Sequence, residues 1–240
     1  TVYYNKQAQL TLESESASNS LAGFFEKYEK ETQTLALNPQ IQSVLSETKA
    51  GDNILSAKAM GDVEKYLVDA AGTDSENVMA VWIADLDASV ITQSDGYTSP
   101  GGWDITGRAW YSCIETGKTV LTEPYIDSST GEIILSGATP VYDEGGNVLG
   151  AAGMDISLDH VTEVLSTYTI GSNGYVWLVS SDGMLIYHPN AELVQQNIAD
   201  VNVSDNVVNA IVNQSTEFLK YKADGTCLLY TSPSPRDTER

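Results

Sequence analysis

Between residues 18 and 38 the apolar side chains Leu21, Phe24, Phe25, Tyr28, Leu35 and Leu37 recur mostly at spacings of three, four and seven. That pattern lays them along one stripe of a helix. The polar stretch 6–20 prolongs the same helix upstream. Asn38-Pro39 ends it, because proline disfavours helical backbone at the residue before it. Ile41, Val44 and Leu45 predict one or two further turns, and residues 59–70 predict a second helix with Val63, Tyr66, Leu67 and Ala70 on one face. After Ala71-Gly72 the period changes. Residues 78–83 read as a buried strand, paired with 88–92 across Asp85-Leu86-Asp87. The runs 132–142 and 147–156 are rich in apolar residues, and the Asp143-Glu144-Gly145-Gly146 between them has the composition of a hairpin turn. Residues 157–167 predict a helix that turns Val161, Val164 and Leu165 inward.

The pattern then restarts. Val81-Trp82-Ile83 followed by Asp87-Ala88-Ser89-Val90-Ile91 is matched by Val176-Trp177-Leu178 followed by Asp182-Gly183-Met184-Leu185-Ile186, at a constant offset of 95 residues. The repeat predicts an α+β chain of two related modules, each an antiparallel sheet with helices on one side. Trp82 and Trp177 are then core residues of buried strands. The predicted layout is a long helical region over 1–50, one module over 51–168 and a second, incomplete one over 169–226. Residues 227–237 read CLLYTSPSPRD, which resembles the translation of a transposase sequencing adapter. Residues 227–240 are therefore read as a non-native tail and set aside from fold reasoning.

Composition narrows the function. A chain of 240 residues with 42% hydrophobic residues can bury a real core. Its 33 acidic and 12 basic residues give a net charge of −21, which argues against binding nucleic acid or anionic lipid. Without Arg236, Arg240, Asp237 and Glu239 the chain keeps 10 basic and 31 acidic residues, and the same net charge. Cys113 is then the single native cysteine, so neither an internal disulfide nor a cysteine zinc site is expected. His160 and His188 stand alone, and no cofactor or metal is expected. Residues 127–132 carry oxygen ligands without the spacing of an EF-hand loop. No GxSxG, HExxH, P-loop or GxGxxG motif occurs in its required context, so catalysis is not expected. The chain carries no run of about 18 apolar residues and no signal peptide, and it reads as a piece of a longer protein.

The segment 101–111 concentrates Trp103, Arg108, Trp110 and Tyr111 between two sheet regions. Aromatic rings give an apolar wall, and an arginine fork pairs with a carboxylate. Asp127 follows in a loop and Asp155 ends a strand. One cation and two carboxylates suit a zwitterion, with Arg108 on its carboxylate and Asp127 and Asp155 on its ammonium. The same residues equally suit an Arg–Asp pair that ties two loops, with Trp110 as core.

The long N-terminal helix, RAWY at 108–111, EPYIDSSTGEIILSGATPVYDEGGNVLGAAGMDISL at 123–158 and GYVWLVSSDGMLIYHPN at 174–190 together resemble the double Cache sensor ectodomain of bacterial methyl-accepting chemotaxis receptors and sensor kinases. The resemblance covers about residues 1–226 and is strongest over 101–158. It implies two PAS-like (Cache) modules behind a long N-terminal helix, the second truncated, with the ligand in the membrane-distal module. It implies a domain lying outside the cytoplasm, held at the cell membrane by segments beyond this chain. The helix also offers a surface for a homodimer, while its polar outer face suits a monomer. A subset of the family binds L-amino acids through Arg-x-Trp-Tyr, a later Tyr-x-Asp and an Asp at a strand end. Those positions are Arg108, Trp110, Tyr111, Tyr125, Asp127 and Asp155. The resemblance assigns the ligand carboxylate to Arg108 and Trp110, and the ammonium to Asp155 with Tyr111, Tyr125 and Asp127. Trp103 stands where the family usually has a tyrosine; its N–H can donate, but it cannot accept as a hydroxyl does. The alternative is the same fold sensing an amine, organic acid or purine-like ligand, and a pure amine site has no use for Arg108. An adhesin or structural ectodomain would instead fill the pocket with its own side chains, such as Tyr97 or Trp103.

Overall fold

The computed structural model describes residues 2–127, 131–170, 174–215, 219–223 and 226–230. The predicted stripe and its polar extension form one helix, α1 (Val2–Ala36). Asn38 is extended, and its side-chain oxygen accepts from the backbone N–H groups of Gln40 and Ile41 at 2.8 and 3.4 Å. That cap, with Pro39 in the first turn, starts α2 (Pro39–Glu47), which buries Ile41, Val44 and Leu45. The helix expected at 59–70 is α3 (Met60–Gly72). The described residues fall into two compact units, one formed by 24–160 and the other by 1–23 with 161–240.

In the unit 24–160 the strands are β1 (Val78–Asp85) and β2 (Val90–Gln93), followed by helix α4 (Ser112–Thr116). Then come β3 (Val120–Leu121), β4 (Tyr125–Ile126), β5 (Ile133–Tyr142) and β6 (Val148–Ser157). They form one antiparallel sheet in the order β2-β1-β6-β5-β3, with β4 also on β5. The predicted turn joins β5 to β6: Asp143 accepts the backbone N–H of Gly146 at 3.0 Å, and Gly146 takes a φ of +83° that favours glycine.

Alternation splits the sheet into two faces. On β5, Gly137 and Thr139 meet α1, where Thr139 donates to the Thr32 hydroxyl at 3.2 Å. On the other face, Trp82, Ala84, Ala138 and Ala151 form a core with Ile91, Ile105, Trp110 and Cys113. Small residues at 138 and 151 leave room there for two tryptophans. Cys113 is fully buried and its thiol is pushed up to about 12 by burial, which suits packing rather than redox chemistry.

A polar clamp holds α1 within this unit. Asp74, in the turn before β1, accepts from the Tyr28 hydroxyl at 2.7 Å, from Asn77 at 2.8 Å and from the Lys27 ammonium. Burial raises the Asp74 carboxyl, but these three donors outweigh it and hold it at about 2. A carboxylate depressed from 3.8 stabilises the fold above that value and loses the contribution as the pH falls toward about 2. Asp74→Asn should therefore lower stability by roughly 1–3 kcal/mol at neutral pH. Urea denaturation at pH 7 and again near pH 2 should find that difference shrinking toward the acid end.

In the other unit, α5 (Asp159–Ser166) leads into short strands β7 (Thr169–Ile170), β8 (Gly174–Tyr175), β9 (Leu178–Val179) and β10 (Leu185–Tyr187). Helix α6 (Asp205–Val212) and strands β11 (Leu219–Ala223) and β12 (Thr226–Tyr230) follow. They make three two-stranded pairs, β7 with β8, β9 with β10 and β11 with β12. The repeat predicts Trp177 inside a buried strand, and there the structure differs. Trp177 precedes the two-residue β9, is only partly buried, and packs beside Tyr230 and His188 at ring distances of 6.2 and 5.8 Å. Lacking a long flanking strand on either side, its segment does not gain the two-faced burial that encloses Trp82. Of the segment that resembles an adapter, residues 227–230 lie in β12 and 231–240 lie outside the described residues.

Candidate functional site

The site is built from four strands of one sheet and one loop. Ser136 on β5 and Asp155 on β6 are direct cross-strand partners, so their side chains share a face. The Ser136 hydroxyl donates to Asp155 Oδ1 at 2.6 Å. Trp82 on β1 lies opposite Gly153, two residues before Asp155, and its indole N–H donates to the same Oδ1 at 3.1 Å. Among the described residues no hydrogen bond reaches Asp155 Oδ2. The backbone of Ser136 is itself pinned, its N–H donating to Thr122 Oγ1 at 2.9 Å.

Tyr125 on β4 adds the next link, its hydroxyl 2.8 Å from Ser136 Oγ. Because Ser136 spends its only proton on Asp155, Tyr125 must donate to Ser136. The chain Tyr125→Ser136→Asp155 therefore has one direction. It leaves the Tyr125 oxygen and Asp155 Oδ2 as acceptors with no proton to offer, the complement of an ammonium group.

Burial pushes the Asp155 carboxyl up to about 6; the Ser136 and Trp82 hydrogen bonds oppose the rise, and the charges of Asp127 and Asp95 add to it. The carboxylate form still prevails at neutral pH. Burial also pushes the Tyr125 phenol up to about 12; the charges of Asp155 and Asp127 add to this, while the Arg108 charge opposes it. Asp155, Asp127 and Arg108 thus all act on one phenol. Asp127 directly follows β4, its backbone N–H on the Glu132 carbonyl at 2.9 Å, and residues 128–130 beside it lie outside the described residues.

The loop 101–111 is shaped by two buried anchors, Ile105 and Trp110, with an Asx turn between them and Trp103 in which Asp104 accepts from the Thr106 backbone at 3.0 Å. Arg108 stands between the anchors and is exposed, its guanidinium stacked over the Trp103 ring at 3.8 Å. Among the described residues no carboxylate lies within ion-pair distance of it. The Arg–Asp pair that would tie two loops is therefore not formed, although Trp110 is core, its ring 4.8 Å from that of Trp82. Tyr111 is partly buried against Trp110 at 6.4 Å. Trp103 is also partly buried and packs on the core from its edge, while Tyr97 remains exposed.

Two residues of this constellation escape sequence reasoning. Ser136 reads as strand material and Trp82 as core, and both readings are locally sufficient. The signal that joins them to Asp155 is the strand register.

Known proteins resemble the chain over the same regions. A family model for the Cache domain, of the double type, matches residues 3–238. The methyl-accepting chemotaxis protein PscA of Pseudomonas syringae is 38% identical over 100 residues, which are 41% of this chain and 16% of that protein. McpG of Pseudomonas putida, another methyl-accepting chemotaxis protein, is 25% identical over 187 residues, 78% of this chain and 26% of that protein. The chain thus spans about a quarter or less of the relatives it matches. The ligand-binding domain of the Pseudomonas fluorescens chemoreceptor CtaA, solved with L-serine, superposes with a TM-score of 0.63 at 23% identity, covering 95% of this chain and 86% of that one. That of the Campylobacter jejuni chemoreceptor Tlp3, solved with 4-methylisoleucine, gives 0.71 at 16% identity, covering 95% and 86%. The fold of a long helix with antiparallel sheets agrees with these domains, and the family match spans almost every residue: the chain belongs to the Cache domain family.

Proposed function

We propose that this chain is the extracytoplasmic sensing domain of a transmembrane chemoreceptor, and that it binds an L-amino acid in the unit 24–160. The observation that carries this reading is the pairing of unlike ends. Tyr125 Oη and Asp155 Oδ2 offer only acceptors, while Arg108 is a donor-only cation with no ion pair among the described residues and close enough for its charge to act on Tyr125. An α-amino acid satisfies both ends at once. Arg108 takes the carboxylate beside Trp110, and Asp155 takes the ammonium with Tyr125, Tyr111 and Asp127. Trp103 supports the guanidinium from below. The chemoreceptor names of the relatives and the amino acids in the solved domains agree with this assignment. The reading places the anchoring in segments beyond this chain; no described helix is long and apolar enough to cross a membrane.

The energetics suffice. Charge-assisted hydrogen bonds contribute roughly 1.5–3 kcal/mol each. Three or four can approach the ~8 kcal/mol of a micromolar complex after ordering costs. A thermal-shift panel of L-amino acids, simple amines and small carboxylates tests the reading. Stabilisation confined to α-amino acids is expected, with Arg108→Ala weakening it by roughly 30-fold or more, as for loss of one partner of a charge pair. A folded protein that answers only to amines, organic acids or purines would replace it with the other ligand class.

A further inference from the structure

Asp155 is held in an unusual way for a residue meant to meet a ligand. Two donors converge on one oxygen, Ser136 at 2.6 Å and Trp82 at 3.1 Å. Neither donor is on the loop that carries Arg108. Ser136 comes from β5 and Trp82 from β1, the two strands that flank β6. Both are buried, so each is fixed by packing before any ligand arrives. A carboxylate gripped on Oδ1 from both sides cannot rotate about its terminal bond without losing two hydrogen bonds. Its second oxygen then keeps one direction.

We infer that Ser136 and Trp82 are positioning residues for ligand recognition: they hold Asp155 in its charged form with Oδ2 turned to the ligand's ammonium. The inference rests on the amino-acid reading for the identity of that ligand, but the hold on Asp155 exists without it. A ligand ammonium and a proton compete for the same carboxylate. Donors that favour the anion therefore also lower the pH above which the site accepts its ligand. Around Asp155 stand Tyr125 on β4, Asp127 just after β4 and Asp95 in the turn after β2; the charges of Asp127 and Asp95 raise its carboxyl, and Arg108 acts on Tyr125. The flanking positions of β1 and β5, Ala80, Trp82 and Ser136, carry no titratable side chain. Against two acidic neighbours and burial, the Ser136 and Trp82 hydrogen bonds are the local contributions that favour the charged form.

The test follows the aspartate carboxyl carbons of the 240-residue chain by ¹³C NMR as a function of pH, with Asp155 assigned by its loss in Asp155→Asn. The wild-type midpoint should lie near 6. Ser136→Ala, which removes one oxygen atom, should raise it by roughly one pH unit, and Trp82→Phe, which keeps a ring and removes the N–H, should also raise it. Calorimetry with L-alanine adds the functional arm. Relative to wild type, Ser136→Ala should lose about sevenfold more affinity at pH 5.5 than at pH 8, within the tenfold limit of a one-unit shift. A residue that merely supports the fold would lower affinity equally at both pH values and leave the midpoint in place, and either result overturns the inference. Should Trp82→Phe unfold, Ser136→Ala decides alone. Absence of L-alanine binding to a folded wild-type chain would count against the amino-acid reading, while the carbon titration still decides the positioning role.

Discussion

Asp155→Asn is expected to weaken binding of α-amino acids by at least ~30-fold while leaving the ligand-free protein more stable at pH 7.5. The two halves of this result have one cause. Asparagine keeps the shape of the carboxyl group and can still accept from Ser136 and Trp82 on one oxygen. Its amide nitrogen then faces the ligand's ammonium, donor against donor. Loss of one partner from a hydrogen-bonded charge pair costs about 2–5 kcal/mol, which is roughly 30- to 5,000-fold in affinity. Without ligand, the wild-type carboxylate is a liability. Its folded value of about 6 lies above the ordinary 3.8, so the folded state holds its proton more tightly than the unfolded chain. The sign follows from linkage: stability is greatest on the acid side and declines as the pH rises from about 4 to about 6. Asparagine never ionises and escapes that decline. Isothermal titration and a thermal melt on one preparation check both halves. Lost affinity with a raised melting temperature separates loss of recognition from loss of fold, and a lowered melting temperature would sink the account.

On the proposed reading, this trade accounts for how the site is assembled. The proposed ligand is met by a charge that the fold would rather not bury, and that charge is stabilised by donors that the fold already orders. The sheet supplies them through register. Arg108 is the opposite case, because it is exposed and rests on Trp103, so its cost to the fold is small. The two ends of the proposed ligand are thus met by groups with different pH behaviour. Only the Asp155 end responds between pH 4 and 7.

Local signals made much of the fold legible. The helical stripe of Phe24, Phe25 and Tyr28, the Asn38-Pro39 cap and the 143–146 turn each act over a few residues, and each appears where the sequence reading puts it. Arg108, Trp110 and Asp155 stand out by residue type against a surface poor in cations. Ser136 and Trp82 do not, because their place beside Asp155 depends on β5, β6 and β1 pairing in one particular register. The 143–146 turn sets β5 against β6, but no local signal sets β1 against β6. Trp177 illustrates the reverse error. Its local sequence copies that of Trp82, but burial requires neighbouring strands, and β9 has only the short β10 beside it.

The same register leaves no room for a side chain at Gly153. Replacing it with valine is expected to lower the melting temperature by about 6–12 °C or more, taking at least ~3 kcal/mol of overpacking at 2–4 °C per kcal/mol for a domain of this size. A Cβ at Gly153 would stand 2.4 Å from the Gly137 carbonyl oxygen and 2.4 Å from Trp82 Cζ2, far inside van der Waals contact. The first contact is with backbone and cannot relax without parting β5 from β6. The second pushes the indole off the strand and takes its N–H away from Asp155 Oδ1. Gly153→Val should therefore abolish ligand-induced stabilisation even at temperatures where the chain remains folded. Adding Trp82→Phe tests the argument directly. If the indole alone were obstructed, the smaller ring would restore the melting temperature. Because the Gly137 carbonyl is unaffected by that change, the double variant should stay destabilised, and full recovery would show that the strands can shift where this account holds them fixed.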